Sequence, residues 1–492
     1  MLRPWEFKIV IRRGAPTALY LQIVHAIIDE IRPGRLAPGT ALPGTRELAE
    51  RLQVNRKTVV LAYDELEAQG WVSSERTRGT FVSSHLPQVA SSKKTKGAGD
   101  GRMPEAPAFR LNDSPPSIAL VTNEDNSLTF DDGAPDTRHV PVDALARAYR
   151  HALERSARHN RLGYSDPRGS LVLRSAVSAM LNVDRGLTTT PDNICLTRGS
   201  QMAIFISARI LTGRGDAVVM EELSYPPARE SFRSAGAEVI SIGLDAQGLH
   251  VNELEKVCRR KRVRAIYVTP HHQFPTTVVL RPDRRLRLFS LASQFGFAII
   301  EDDYDHEFHF AHQPMLPLAS ANACDQVVYI GSMSKLLSPS LRLGYMAAPK
   351  AVIDRAAAEV TMIDRQGDPA TEAAVAELID TGEIHRHTRR VLRVYSERRT
   401  MMAGLLTEHF GSDIEFDLPD GGLAVWVRFK DGVDVDELAR LARAEGVQLL
   451  PGSAFATASA RVQGARLGFA SLDPAELRKA THRLRVAFGR LR

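Results

Sequence analysis

"VVYIGSMSKLLSPSLRLGYMAAP", residues 327–349, sets a lysine in an unusual place. An apolar, β-branched run ends at Gly331, Lys335 follows in a loop of small residues, and Arg342 comes seven positions later. Apolar residues at consecutive positions read as a strand covered on both faces, the habit of parallel sheets. Lysines are ordinarily solvated. Where its surroundings lower its pKa, a lysine at the end of a sheet strand can form a Schiff base with a carbonyl compound. Runs of the same kind recur in "DAVVMEE", "RAIYVTP" and "FAIIEDD", alternating with helical patterns from residue 128 onward. That alternation predicts an α/β domain built of βαβ units on a mostly parallel sheet.

The carbonyl compound most often held in this way is pyridoxal phosphate. It asks for a carboxylate at its pyridine nitrogen, N–H groups and an arginine at its phosphate, and a ring to stack on. In "LTRGSQMAIFISARIL", Gly199, Ser200 and Gln201 stand where a loop enters a helix, and bare N–H groups there make an anion site. In "EELSYPPAR", Tyr225 follows a strand, placed to stack on a ring. "AIIEDDYDHEF" ends a buried strand in Asp302, Asp303 and Tyr304, at the carboxyl end where open α/β sheets bind ligands. Ser332 and Arg342 then come to the phosphate beside Lys335.

The first eighty residues follow another pattern. "LYLQIVHAIIDEIRPGRL" puts Leu21, Val24, Ile28 and Ile31 on one helical face. "GTRELAERLQV" is a second, short helix capped by Gly44 or Thr45. Asn55 caps a third, whose buried face is Val59, Ala62, Tyr63 and Leu66 and which ends at Gly70. "WVSSERTRGTFVSS" reads as two strands around a basic tip. This order is a winged helix-turn-helix. Its third helix presents Arg56, Lys57 and Thr58 from the first turn, as a recognition helix presents residues to the major groove.

The stretch from "APTALYLQIV" through "LPGTR" and "NRKTVV" to "RGTFV" resembles the DNA-binding domain of the GntR family of bacterial repressors. That resemblance implies that Arg46 contacts backbone or bases, that Arg56 reads guanine, and that Arg78 and Gly79 of the wing enter the minor groove. The cofactor motifs, in their order, resemble fold-type I aminotransferases. Behind a GntR-type domain they resemble the MocR family of regulators, as do "GYSDPRGSLVLRSAVSAML" and "VTPHHQFPTT". The family implies Asp302 at the pyridine nitrogen, with Asp303 the alternative, and Tyr304 at the ring hydroxyl. It further implies His272 or Gln273 on the hydroxyl side of the ring, and Tyr164 reaching the partner subunit's phosphate. Arg466, in "GARLGF", would grip the α-carboxylate of an amino acid as a bidentate fork. Four positions depart from the family: Leu223 for proline, Thr277 for glycine, Ala424 for histidine, and Pro227 where GABA-responsive members carry an arginine. The last speaks against GABA as effector.

The expected organisation is a winged helix over 1–82, a linker over 83–127 rich in Ser, Lys, Gly and Pro, a large cofactor-binding part over 128–350, and a small α+β part over 351–492. A net charge of +6 on 492 residues permits a nucleic-acid partner without demanding one. Cys195, Cys258 and Cys324 are far apart, odd in number and free of CxxC spacing, which reads as reduced thiols in a cytoplasm. "MLRPWEFKIVIRRGAP" has no apolar core of signal-peptide length and no run of about eighteen apolar residues occurs, so no membrane span is expected. His306, His309 and His312 stand three apart but on no helical pattern, and no metal is expected. The basic run "EIHRHTRRVLRVYSERR" reads as a solvated helix face. The expected protein is a pyridoxal-phosphate-dependent transcription regulator, a homodimer that binds operator DNA and senses an amino compound, or the cofactor itself, through an aldimine on Lys335. Its family often exchanges DNA-binding domains across the dimer. The rival readings are a working aminotransferase with a DNA-binding appendage and a DNA-binding protein with an empty aminotransferase fold.

Overall fold

A computed structural model describes residues 9–75, 78–86, 106–107, 109–111, 127–310, 315–321, 324–430, 432–457 and 462–491. It divides into two compact units, Met1–Asp113 and Ser114–Arg492. Most of the expected linker, and His312, lie outside the described residues.

The first unit packs α1 (Leu19–Ile31), α2 (Thr45–Leu52) and α3 (Arg56–Ala68) beside an antiparallel pair, β1 (Val72–Glu75) and β2 (Gly79–Val82). Asn55 caps α3 by accepting from the Lys57 N–H at 2.9 Å, so the chain leaves the turn already wound for helix. The α3 core face is Val59, Ala62, Tyr63 and Leu66, as its periodicity predicts. On α1 the buried set is Ile23, Val24, Ile27, Ile28 and Ile31, while Leu21 is half-buried. The face is wider than the expected stripe because α1 is apolar on more than one side and takes α3 against it.

The second unit is built on a seven-stranded sheet. In chain order its elements are β3 (Leu128–Phe130), α4 (Val142–Arg158), α5 (Leu171–Arg185), β4 (Ile194–Thr197), α6 (Ser200–Leu211), β5 (Ala217–Glu221), α7 (Pro226–Ser234) and β6 (Glu238–Ile242). After a short hairpin, β7 (Leu244–Asp245) and β8 (Gly248–Leu249), come α8 (Val251–Arg260), β9 (Val263–Val268), α9 (Pro282–Phe295), β10 (Ala298–Asp303), β11 (Val327–Ser332) and β12 (Gly344–Ala347). The sheet order is β4-β12-β11-β10-β9-β5-β6, parallel except for β12, which is antiparallel to both neighbours. Alternate residues feed opposite cores. Ile300, Val328, Ile330 and Tyr267 pack with α6 and α7 on one face, and Ile299, Val327, Tyr329 and Ile266 pack with α5, α8 and α9 on the other. This double burial makes the strands read as unbroken apolar runs.

The C-terminal elements are α10 (Lys350–Ile363), α11 (Pro369–Asp380), α12 (Glu383–Phe410), β13 (Ile414–Phe416), β14 (Ala424–Phe429), α13 (Val435–Ala444), β15 (Val447–Pro451), β16 (Gly464–Gly468) and α14 (Pro474–Leu491). They correct the expected boundaries at 128 and 350. β3 pairs in parallel with β15, Phe130 opposite Leu449, and so belongs to the small sheet β13-β14-β16-β15-β3. Conversely, α10 and α11 bury Ile353, Ala356 and Val360, and Ala374, Val375 and Leu378, against the two faces of the large sheet. Both departures are long-range pairings with no local trace.

Candidate functional site

The site gathers where β10 and β11 end. Strand parity sets the two aspartates on opposite faces of the sheet. Asp302 has the parity of Ile300 and shares the α6 face, whereas Asp303 has the parity of Ile299 and lies on the opposite face. Asp302 is 5% exposed, and its Oδ2 accepts from the Tyr267 hydroxyl at 2.6 Å. Its Oδ1 is buried without a hydrogen-bond partner. Burial pushes the Asp302 pKa up to about 7, against the Tyr267 hydrogen bond. A buried acceptor of this kind is satisfied by a cationic N–H. Asp303 accepts from the Tyr329 hydroxyl at 2.6 Å and lies beside the His271 and His306 rings, 3.4 and 3.0 Å from their Nδ1 atoms.

The other end of the site is the start of α6. Gly199 has φ 76°, and no side chain caps the helix behind it. The Arg342 guanidinium lies against it: a Cβ on Gly199 would stand 3.1–3.2 Å from both terminal nitrogens. Arg342 itself is left-handed at φ 49° and donates to the Arg198 carbonyl at 3.1 Å. Gly344 of β12 backs the same peptide, since a Cβ there would meet Gly199 C at 2.6 Å and Ser200 N at 2.7 Å. Gly344 is required by this close approach, and Gly199 by its left-handed backbone. A helix N-terminus, an arginine and close backbone make a cradle for a phosphate. Ser332, on the same face of β11, accepts from the Ser334 N–H at 3.1 Å. The Gln201 side chain turns to Ser231 Oγ at 3.2 Å and leaves its Oε1 buried without a partner.

Lys335 lies between these ends. It is one-fifth exposed, its Nζ is 3.7 Å from Asp132 Oδ1, and its charge acts on Asp302. Tyr225 begins α7, meets Phe274 edge-on at 5.4 Å, and feels the charges of Asp132, Asp302 and Arg342. The Tyr304 hydroxyl donates to the His272 carbonyl at 3.0 Å and accepts from Arg466 at 3.3 Å. Arg466 is 1% exposed, stacks 4.8 Å over Phe274, and donates to the Asp132 and Pro275 carbonyls, each at 2.8 Å. Its fork therefore faces carbonyls, where a carboxylate would compete well.

Three expected residues stand apart from this cluster. His272 Nδ1 is 2.8 Å from Asp305, and the Gln273 amide is tied to Glu221, Leu223 and Thr276. These side chains hold the loop, and what the loop offers Tyr304 is the His272 backbone carbonyl. Tyr164 is 80% exposed under the Arg365 guanidinium. Two site residues escaped the sequence reading. Tyr267 sits in an apolar strand, where its hydroxyl was the signal, and Asp132 follows β3 in "DDGAPD". Thr277, where glycine is usual, has φ 63°, so the departure is in a position that demands a left-handed backbone.

In the DNA-binding unit, Arg46, Arg56, Lys57, Arg78 and Gly79 are exposed, and Thr58 is half-buried. Arg56 Nε reaches Thr45 Oγ1 at 3.4 Å, which draws it toward α2. Arg78 pairs with Glu75 at 3.1 Å and lies over Phe81 at the wing, where Gly79 has φ 105°.

Residues 126–484 match the family model for aminotransferase class I and II, and residues 19–82 match that for bacterial regulatory proteins of the gntR family. The chain is 31% identical to the probable rhizopine catabolism regulatory protein MocR of Rhizobium meliloti, covering 98% of this chain and 96% of that one. It is 29% identical to the HTH-type transcriptional regulator TauR of Rhodobacter capsulatus, over 96% of each. Among solved structures it is similar to the α-aminoadipate aminotransferase of Thermus thermophilus complexed with N-(5'-phosphopyridoxyl)-L-leucine. That match has a TM-score of 0.70 and 27% identity, covering 75% of this chain and 93% of the other.

Proposed function

Because the chain belongs to the MocR-type regulators, with a GntR winged helix followed by a class I and II aminotransferase domain, we propose that it senses an amino acid through pyridoxal phosphate held on Lys335. The protein is a DNA-binding transcription regulator, and the proposal concerns what it senses and how. The observation that carries it is the unpartnered Oδ1 of Asp302, buried on the face of the sheet that also carries the α6 N-terminus and Arg342. When bound, the cofactor supplies an aldehyde to which amines add and a ring that withdraws electrons.

The chain's own residues do the rest. Asp302 Oδ1 accepts a pyridine N–H and stays ionised, while Tyr267 holds its other oxygen. Gly199, Ser200, Ser332 and Arg342 bind the phosphate. Tyr225 covers the ring, and Tyr304 meets the ring hydroxyl. Lys335 must lose a proton to act as a nucleophile, and Asp132 Oδ1 is the carboxylate beside it. Arg466 receives an effector's α-carboxylate. Arg466 also donates to the backbone of Asp132, so a carboxylate arriving there disturbs the loop that faces Lys335. That loop follows β3. Pro227, where GABA-responsive members carry an arginine, speaks against GABA as the effector.

At the operator, Arg56, Lys57 and Thr58 enter the major groove, Arg46 supports them, and Arg78 with Gly79 lies in the minor groove. A cytoplasmic homodimer, with Tyr164 completing the partner's phosphate site, fits this reading. Among the described residues no helix is long and apolar enough to cross a membrane. Borohydride reduction of the purified yellow protein followed by peptide mass mapping tests the proposal. A pyridoxyl adduct is expected on Lys335, and an adduct elsewhere, or none, refutes it. Steady keto-acid production from an amino donor and acceptor would instead identify a working aminotransferase.

A further inference from the structure

The face of β10 opposite Asp302 carries a second buried cluster that the cofactor reading leaves unused. Asp303 stands between His271, from the loop after β9, and His306, just past β10. Asp303 Oδ1 is 3.4 Å from His271 Nδ1, and Asp303 Oδ2 is 3.0 Å from His306 Nδ1. The ligand-capable atoms of the three residues all lie within 4.8 Å of one another. Exposure is 3% for His271 and Asp303 and 5% for His306. His271 Nε2 is bonded to the Met315 carbonyl, so in the neutral imidazole that nitrogen carries the hydrogen and Nδ1 carries the lone pair. Two acceptors, His271 Nδ1 and Asp303 Oδ1, thus face each other. Both lack a hydrogen-bond partner, as does His306 Nδ1.

Burial makes such a standoff costly unless something positive lies between the atoms. A proton on His306 bridges only the Oδ2 side and leaves His271 facing Asp303. A metal ion satisfies all three. Ligands about 2.0–2.2 Å from a tetrahedral zinc stand roughly 3.3–3.6 Å apart, near the 3.4 Å from His271 Nδ1 to Asp303 Oδ1 and the 3.0 Å from His306 Nδ1 to Asp303 Oδ2, so that both carboxylate oxygens face the ion. The second sphere is also present: the Met315 carbonyl orients His271, and the Tyr329 hydroxyl donates to Asp303 at 2.6 Å. Arg185, nearby, is matched by its ion pair with Glu307. We propose that His271, Asp303 and His306 form a binding site for a divalent metal ion of the zinc class. Two imidazoles and one carboxylate select zinc-like ions over magnesium or calcium. His309, whose Nε2 is buried without a partner and whose ring is 5.9 Å from that of His306, is a further donor close by. The ion would clamp the loop after β9 to the segment after β10, the two segments that position Tyr304.

The site is independent of the cofactor, and its test does not use cofactor chemistry. Full-length protein is stripped with a chelator, incubated with equimolar zinc, desalted, and assayed for metal by mass spectrometry. Cobalt(II) substitution then reports the ligand field by visible absorbance. The wild type should retain about one zinc per chain. His271→Ser and His306→Ser should each weaken retention at least tenfold and abolish the cobalt bands, with the fold verified by circular dichroism. Wild-type protein that keeps no zinc overturns the proposal, whether or not the variants fold. So does a double variant with unchanged stoichiometry and cobalt spectrum, which would place the metal elsewhere.

Discussion

Replacing Asp302 by asparagine should separate cofactor binding from the stability of the cofactor-free protein. In the folded chain burial pushes the Asp302 pKa up to about 7, whereas an unfolded aspartate titrates at about 3.9. Between those values the native state holds a proton that the unfolded state has released. Stability of the cofactor-free wild type therefore falls as pH rises through this window and levels off above it. The accumulated loss is about 1.5 kcal/mol at pH 5 and about 4 kcal/mol at pH 8. The asparagine side chain would carry no charge and would keep an oxygen for Tyr267. Its buried amide has its own cost, but that cost does not change with pH. The difference between variant and wild type should thus move by about 2–3 kcal/mol in favour of the variant from pH 5 to pH 8. Urea unfolding of both proteins, cofactor-free, at the two pH values measures it. Cofactor affinity should move the other way. Losing a hydrogen bond between charged groups costs about 1.5–3 kcal/mol, a weakening of roughly 10- to 150-fold in an absorbance titration. A pH-independent difference would refute the buried carboxylate, and unchanged affinity would refute its role at the ring nitrogen.

Other substitutions probe the remaining parts. Arg56→Ala should remove sequence-specific operator binding, by about 1–3 kcal/mol per lost guanine contact, with cofactor absorbance retained; a gel shift against operator and scrambled DNA checks both. Gly344→Ala drives a Cβ into the Gly199–Ser200 peptide. It should lower stability by about 1–3 kcal/mol and weaken pyridoxal phosphate more than pyridoxal, as read by parallel titrations. Arg466→Ala should abolish the response to α-amino acids in an operator-release assay while leaving the cofactor bound, because no cofactor group needs the guanidinium. A normal response would move the effector's carboxylate elsewhere.

The class of fold and most of the site residues are legible in the sequence because they are written locally. Val327 to Ile330 and Ile299 to Ile300 show double burial at consecutive positions. Asn55 and Gly70 bracket the recognition helix, and Gly199, Lys335 and Arg342 sit where strand, loop and helix chemistry is recognisable within a few residues. Tertiary structure decided what depends on pairing at a distance. The sequence leaves Asp302 and Asp303 equivalent, and only the packing of α6 on one face of β10 sets the first on the face of the α6 N-terminus and the second beside the histidines. Nothing near residue 128 announces its partner in β15, so the placement of Asp132 beside Lys335 could not be read. The histidines follow the same rule: spacing by threes shows His306 and His309, but His271, which also meets His306, is brought there by the parallel pairing of β9 with β10. Periodicity records which face of its own element a residue occupies, but what lies across that face depends on how distant elements pack.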